Sequence, residues 1–153
     1  MKVKDVMTAD VRTCTPDTTL AEAGRLMWDG DCGILPVMDD GALIGVVTDR
    51  DLFIALATQN ERAAGLRVGA VAAATVAACA PDDDLQEALA IMRHVRVRRL
   101  PVVGFGSSLL GILSMNDIVM ATGTSDEVSC ESVVETLRAI CGTHHPAPHV
   151  VAA

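Results

Sequence analysis

Two stretches decide how this chain reads: GVVTDRD at positions 45–51 and GILSMND at positions 111–117. Each runs from a glycine through two aliphatic residues to a hydroxyl residue, with an aspartate three places further on. An apolar run that stops at Thr or Ser, with an acid three residues on, reads as a strand handing over to a capped helix. Working outward, the sequence repeats itself. A shift of 66 pairs Leu43 with Leu109, Gly45 with Gly111, Asp51 with Asp117 and Ala55 with Ala121. Upstream the shift is 65, pairing Val11/Val76, Cys14/Cys79, Pro16/Pro81, Leu20/Leu85, Glu22/Glu87, Met27/Met92 and Leu35-Pro36-Val37 with Leu100-Pro101-Val102. The extra residue falls between Val103 and Ser108, where a surface turn absorbs it. The chain is therefore a tandem duplication of a unit of about 60 residues, followed by a tail.

Both copies read alike. A short extended piece (Val11 to Cys14, Val76 to Cys79) stops at a proline. Thr19-x-x-Glu22 and Asp84-x-x-Glu87 have the form of capping boxes. Leu20, Ala23, Met27 and Leu85, Ala88, Met92 follow at helical spacing. Two apolar runs joined by a glycine-containing turn then predict a hairpin. A second helix starts after Thr48 and after Ser114, and the polar stretch from Gln59 to Arg67 reads as a linker. The unit is β-α-β-β-α, twice. The fold class is α/β of the α+β kind, with units at 1–62 and 63–123 packed about a pseudo-two-fold axis and a C-terminal helix and tail at 124–153.

Composition narrows the function. Half of the 153 residues are apolar, yet Trp28, Phe53 and Phe105 are the only aromatics, so the core is built from aliphatic side chains, Met and Ala. With 12 basic and 20 acidic side chains the net charge is −8. Nucleic-acid binding needs cations for phosphates and aromatic platforms for single strands, and this chain is poor in both. No run approaches the 20 or so apolar residues that span a bilayer. The start MKVKDVMTAD has no apolar core of a signal peptide. Five cysteines without a Cys-x-x-Cys pair read as reduced thiols, so a cytoplasmic location is expected.

The duplicated order of xxLPVV, turn, LxGIxSxxD and helix resembles the CBS domain pair, or Bateman module, over roughly residues 3–122. The family's Gly-hydrophobic-x-Thr/Ser-x-x-Asp signature is met at both GVVTDRD and GILSMND. The small size and the tail are similar to stand-alone CBS-pair proteins, including those described as hypoxic response proteins. The resemblance implies binding of adenosyl compounds (AMP, ADP, ATP or a relative), with aspartate on the ribose and Ser/Thr on phosphate. It also implies a homodimer that signals to a protein partner, with no obligatory cofactor.

The residues make the same chemistry plausible unaided. Gly45 and Gly111 permit a ligand or a strand close to the backbone. Thr48 and Ser114 stand at helix starts, where hydroxyl and N–H groups favour an anion. Asp51 and Asp117 lie one helical turn on, placed to accept from two vicinal hydroxyls. Arg98 and Arg99 precede Leu100-Pro101 within a cluster with Arg93 and Arg96, whereas Leu35-Pro36 follows Gly33 and Ile34. That asymmetry points to the second motif, with Asn116, as the better phosphate site; the first has Arg50 inside its motif. By family analogy Val11 or Ile34 lines the pocket of Asp117. Against these readings stands a bland one, in which Thr48, Asp51, Ser114 and Asp117 only cap helices and the repeats supply a ligand-free, stress-response scaffold.

Other features read as structure. Cys14 and Cys79 are equivalent and suit buried strand positions. Cys141, His144, His145 and His149 have a metal-like spacing but no scaffold, so no metal site is expected. Gly104-x-Gly106 precedes a strand and is no dinucleotide fingerprint. Trp28 is expected in a core or an interface. No nucleophile–base pair lies in the duplicated region, so an enzyme is not expected. Val133, Val134, Leu137 and Ile140 form a helical stripe that starts at Ser132-x-x-Glu135. This stripe is expected to bury against a second subunit.

Overall fold

The computed structural model describes residues 1–122 and 128–142. In the first repeat, α1 (Leu20–Asp29) leads to the hairpin β1 (Ile34–Asp39) and β2 (Ala42–Thr48), then α2 (Asp49–Thr58). In the second, α3 (Leu85–Val95) leads to β3 (Arg99–Val103), β4 (Leu109–Ser114) and α4 (Met115–Ala121). A further helix, α5 (Cys130–Cys141), follows. The fold is the expected tandem α+β pair.

Local chemistry sets these bounds. Thr19 Oγ1 accepts from the Glu22 N–H at 3.2 Å while the Glu22 carboxylate accepts from the Thr19 N–H at 2.8 Å, closing the box that starts α1. Glu87 accepts from the Asp84 N–H at 3.0 Å at the start of α3. In both hairpins the register slips at the same repeat position, between Val37 and Met38 and between Val102 and Val103. Such bulges add twist and let an edge strand turn away from further pairing. The inserted residue lies in the second turn, where Phe105–Ser107 form a single 3-10 turn.

The repeats are interlocked rather than side by side. The early part of the segment ahead of each repeat's first helix packs on the other repeat, while Cys14 and Cys79 pair with their own hairpins. Thr8 and Ile112 exchange two backbone hydrogen bonds of 2.9 Å, and Ala73 and Val46 do the same at 2.9 and 3.1 Å. Val3 is fully buried among Leu85, Leu89, Met92 and Leu113, in the second repeat's core. Val68 is buried among Leu20, Ala23, Leu35 and Val47, in the first. The stretch read as a linker is tied down by the same exchange: Leu66 and Ala63 pack on the first core, and the Leu66 carbonyl accepts from the Leu20 N–H at 3.0 Å. Gly45 and Gly111 follow from this crossing. A Cβ on Gly111 would stand 2.5 Å from the Thr8 carbonyl oxygen, and one on Gly45 2.8 Å from that of Ala73. Of the two roles open to these glycines, the close approach of a strand is the one realised.

The C-terminal stripe meets a different fate from the one expected. α5 lies along α3 of its own chain, with Val133 buried in the second core and Leu137 and Ile140 packed against it. Arg93 on α3 and Glu135 pair at 3.1 Å across the contact. Val134 stays exposed. The helix start is also one turn earlier than read: Ser129, not Ser132, caps it, its Oγ accepting from the Ser132 N–H at 3.1 Å. The stripe is therefore satisfied within the subunit and need not await a second one. Of the two places expected for Trp28, the core is not the one it takes: it is 86% exposed on the subunit surface. His144, His145 and His149 lie outside the described residues.

Candidate functional site

The two signature stretches build the same arrangement. Thr48 caps α2: its Oγ1 accepts from the Asp51 N–H at 3.2 Å, and its own N–H and hydroxyl donate to Asp51 Oδ2 at 2.9 and 2.7 Å. Ser114 and Asp117 repeat this at the start of α4, with 3.2, 2.7 and 2.7 Å. Each aspartate thus spends Oδ2 on the cap, while Oδ1 accepts no hydrogen bond among the described residues. Both carboxylates are half-buried and line clefts.

The caps alter the phosphate reading of Thr48 and Ser114. Both hydroxyls already donate to an aspartate, and the first-turn N–H groups of α2 are taken. Asp49 donates to the Gly33 carbonyl, Arg50 to Asp49 Oδ1 and Asp51 to Thr48 Oγ1. A phosphate at the start of α2 would have to displace these bonds, and Arg50, Arg98 and Arg99 are cations that line the same cleft.

The arm exchange makes each cleft composite. The second cleft, about 730 Å³, joins Ser114, Asn116 and Asp117 to Val11 from the first repeat's arm, with Ile34, Ile112 and Arg99. Val11, Ile34 and Asp117 are therefore brought together as expected. The first cleft, about 560 Å³, joins Thr48, Arg50 and Asp51 to Val76, with Ile34, Arg98 and Arg99. Repeat-equivalent positions line equivalent walls, and Ile34 and Arg99, which are mates across the pseudo-two-fold, border both. Gly45 and Gly111 lie behind the walls, under the crossing arms.

The arginines fall differently from the expectation that they serve the second motif. Arg96 and Arg98 line the first cleft and not the second, while Arg99 reaches both. Successive side chains of an extended chain point to opposite sides, which separates Arg98 from Arg99. Sequence reasoning also missed Asp10, Arg12, Asp29 and Asp31 in the second cleft and Thr75 in the first. The Val11/Val76 match was the available signal for the arms. Asp31, two residues past the end of α1, and Arg96, which caps α3, are repeat mates in the left-handed region, at φ 46° and 56°.

Beyond the clefts, burial pushes the Cys14 and Cys79 thiols up to about 11. Each Sγ lies near a proline carbonyl, Pro36 or Pro101. No disulfide joins the five cysteines. Among the described residues no three His, Cys, Asp or Glu side chains gather as a metal site. No helix there is long and apolar enough to cross a membrane.

Comparison with known proteins agrees with this geometry. The CBS domain family matches residues 3–58 and 68–123. The CBS domain-containing protein YhcV of Bacillus subtilis (strain 168) is 34% identical over 118 residues, 77% of this chain and 83% of that protein. The solved structure of Hypoxic Response Protein I with two coordinated zinc ions is 30% identical at a TM-score of 0.71, covering 78% of this chain and 98% of that one. The CBS domain pair of protein MJ0100, in complex with 5'-methylthioadenosine and S-adenosyl-L-methionine, shares the fold at a TM-score of 0.73 and 22% identity, over 81% and 97% of the two chains. With two matched domains filling most of its length, this chain belongs to the CBS domain family as a tandem pair.

Proposed function

We propose that this CBS pair is a non-catalytic regulatory module that binds adenosyl ligands, among them adenine nucleotides, and passes their occupancy to a protein partner. The observation that carries this is the spare Oδ1 on each of two half-buried aspartates, set in clefts walled by Ile34 with Val11 or Val76. A carboxylate oxygen takes the vicinal hydroxyls of a ribose, and the aliphatic walls take the flat base. The adenosyl ligands of the MJ0100 pair support the same choice for a shared fold. The working form is a homodimer. Phe53 and Ile54 on α2 and their repeat mates Val119 and Met120 on α4 are all exposed, giving two matched apolar patches of the sort that a two-fold interface joins.

Thermal shift of the full chain with adenosine, AMP, ATP and S-adenosylmethionine tests the reading. A ligand at 100 times its Kd stabilises by about 2.7 kcal/mol, and Asp51→Asn with Asp117→Asn should remove the shift. A folded wild-type protein that responds to none of the four is instead the ligand-free scaffold.

A further inference from the structure

We propose that the two clefts divide adenosyl ligands by charge. The Asp51 cleft takes phosphorylated adenosines, and the Asp117 cleft takes an uncharged or cationic adenosyl compound. The division rests on the adenosyl reading of the clefts and goes further by assigning each its ligand class.

The repeat makes the comparison direct, because each wall position has a mate. Where the second cleft carries Asp10, Asp31 and Asn116, the first carries Thr75, Arg96 and Arg50. Gly33 and Ile34 in one repeat are the sequence mates of Arg98 and Arg99 in the other. The first cleft therefore sets Arg50, Arg96, Arg98 and Arg99 against Asp49 and Asp51, a surplus of two positive charges. The second sets Asp10, Asp29, Asp31 and Asp117 against Arg12 and Arg99, a surplus of two negative ones. Because the first-turn N–H groups of α2 are already bonded, Arg50, Arg98 and Arg99 are the groups best placed to receive a phosphate there. A polyphosphate in the second cleft would meet carboxylates from three segments, and like charges at that range disfavour it. The shape of the two clefts is the duplicated feature, whereas their charge has diverged.

Calorimetric titration of the full chain with ATP and with S-adenosylmethionine, which carries a net positive charge, tests the division. Asn at either aspartate keeps an acceptor for the cap but replaces the spare oxygen with a donor. Asp51→Asn should weaken ATP at least tenfold and leave S-adenosylmethionine within twofold. Asp117→Asn should do the reverse. Arg98→Ala, an exposed change whose side chain takes part in neither cap, should weaken ATP about fivefold or more and spare S-adenosylmethionine. ATP binding that follows Asp117, or equal losses of both ligands in both aspartate variants, overturns the division while leaving adenosyl binding intact. A wild-type protein that binds neither compound overturns both readings.

Discussion

Asp51 and Asp117 each give one oxygen to a helix cap and keep the other for the ligand role proposed above, and only the division between the two oxygens was hidden from the sequence. The spacing to Thr48 and Ser114 marks the cap, while the spare Oδ1 becomes apparent only when every nearby donor is traced. Val11 and Ile34 were placed by the family resemblance, but Asp10 and Asp31 carry no motif and enter the cleft only because the two repeats interlock. The duplicated cysteines yield a pH test. Their thiols titrate near 9.0 when exposed and near 11 in the fold. The unfolded chain therefore loses these protons first, so their contribution is full below about pH 9 and is lost as pH rises to 11. Denaturant midpoints should fall between pH 9 and 11, and less steeply in Cys14→Ala/Cys79→Ala. An identical slope in the double variant would remove the cysteines from the account.

At the level of elements, the hairpins and the four helices of the duplicated region were legible because each boundary is a local device: a cap, a proline or a turn. The partner of α5 was not. An amphipathic stripe states that it will be buried and is silent on where. Val133 lies in the second core, next to the exposed Val134, and Thr136 is fully buried with its hydroxyl donating to the Ser132 carbonyl at 2.8 Å. Val133→Ala should therefore cost about 1.5 kcal/mol, roughly 3–6 °C in Tm. Val134→Ala should stay within about 0.5 kcal/mol. Equal, small effects would mean that α5 does not hold its place on α3. Ile140 adds a reason for the helix to matter, since it reaches the wall of the Asp51 cleft and has no counterpart in the other. The Arg93–Glu135 pair contributes little, being solvent-exposed on both sides.

For the whole molecule, the exchange of arms ties the two repeats into one unit and makes each cleft the product of both. It also leaves the apolar surface of α2 and α4 uncovered, with Phe53 71% and Met120 80% exposed. Sedimentation of the wild-type chain should give a dimer, and Phe53→Glu with Met120→Glu should give a folded monomer. A variant that remains dimeric would place the interface elsewhere. The central claim is that the composite clefts hold adenosyl ligands with adenine nucleotides among them, and equilibrium dialysis of the full chain against radiolabelled ATP tests it most directly. Saturable retention of up to one ATP per chain, lost in the Asp51→Asn/Asp117→Asn double variant while its circular dichroism is unchanged, is the predicted result. Retention that persists undiminished in the folded double variant, or no retention by the folded wild-type chain at millimolar ATP, would contradict it.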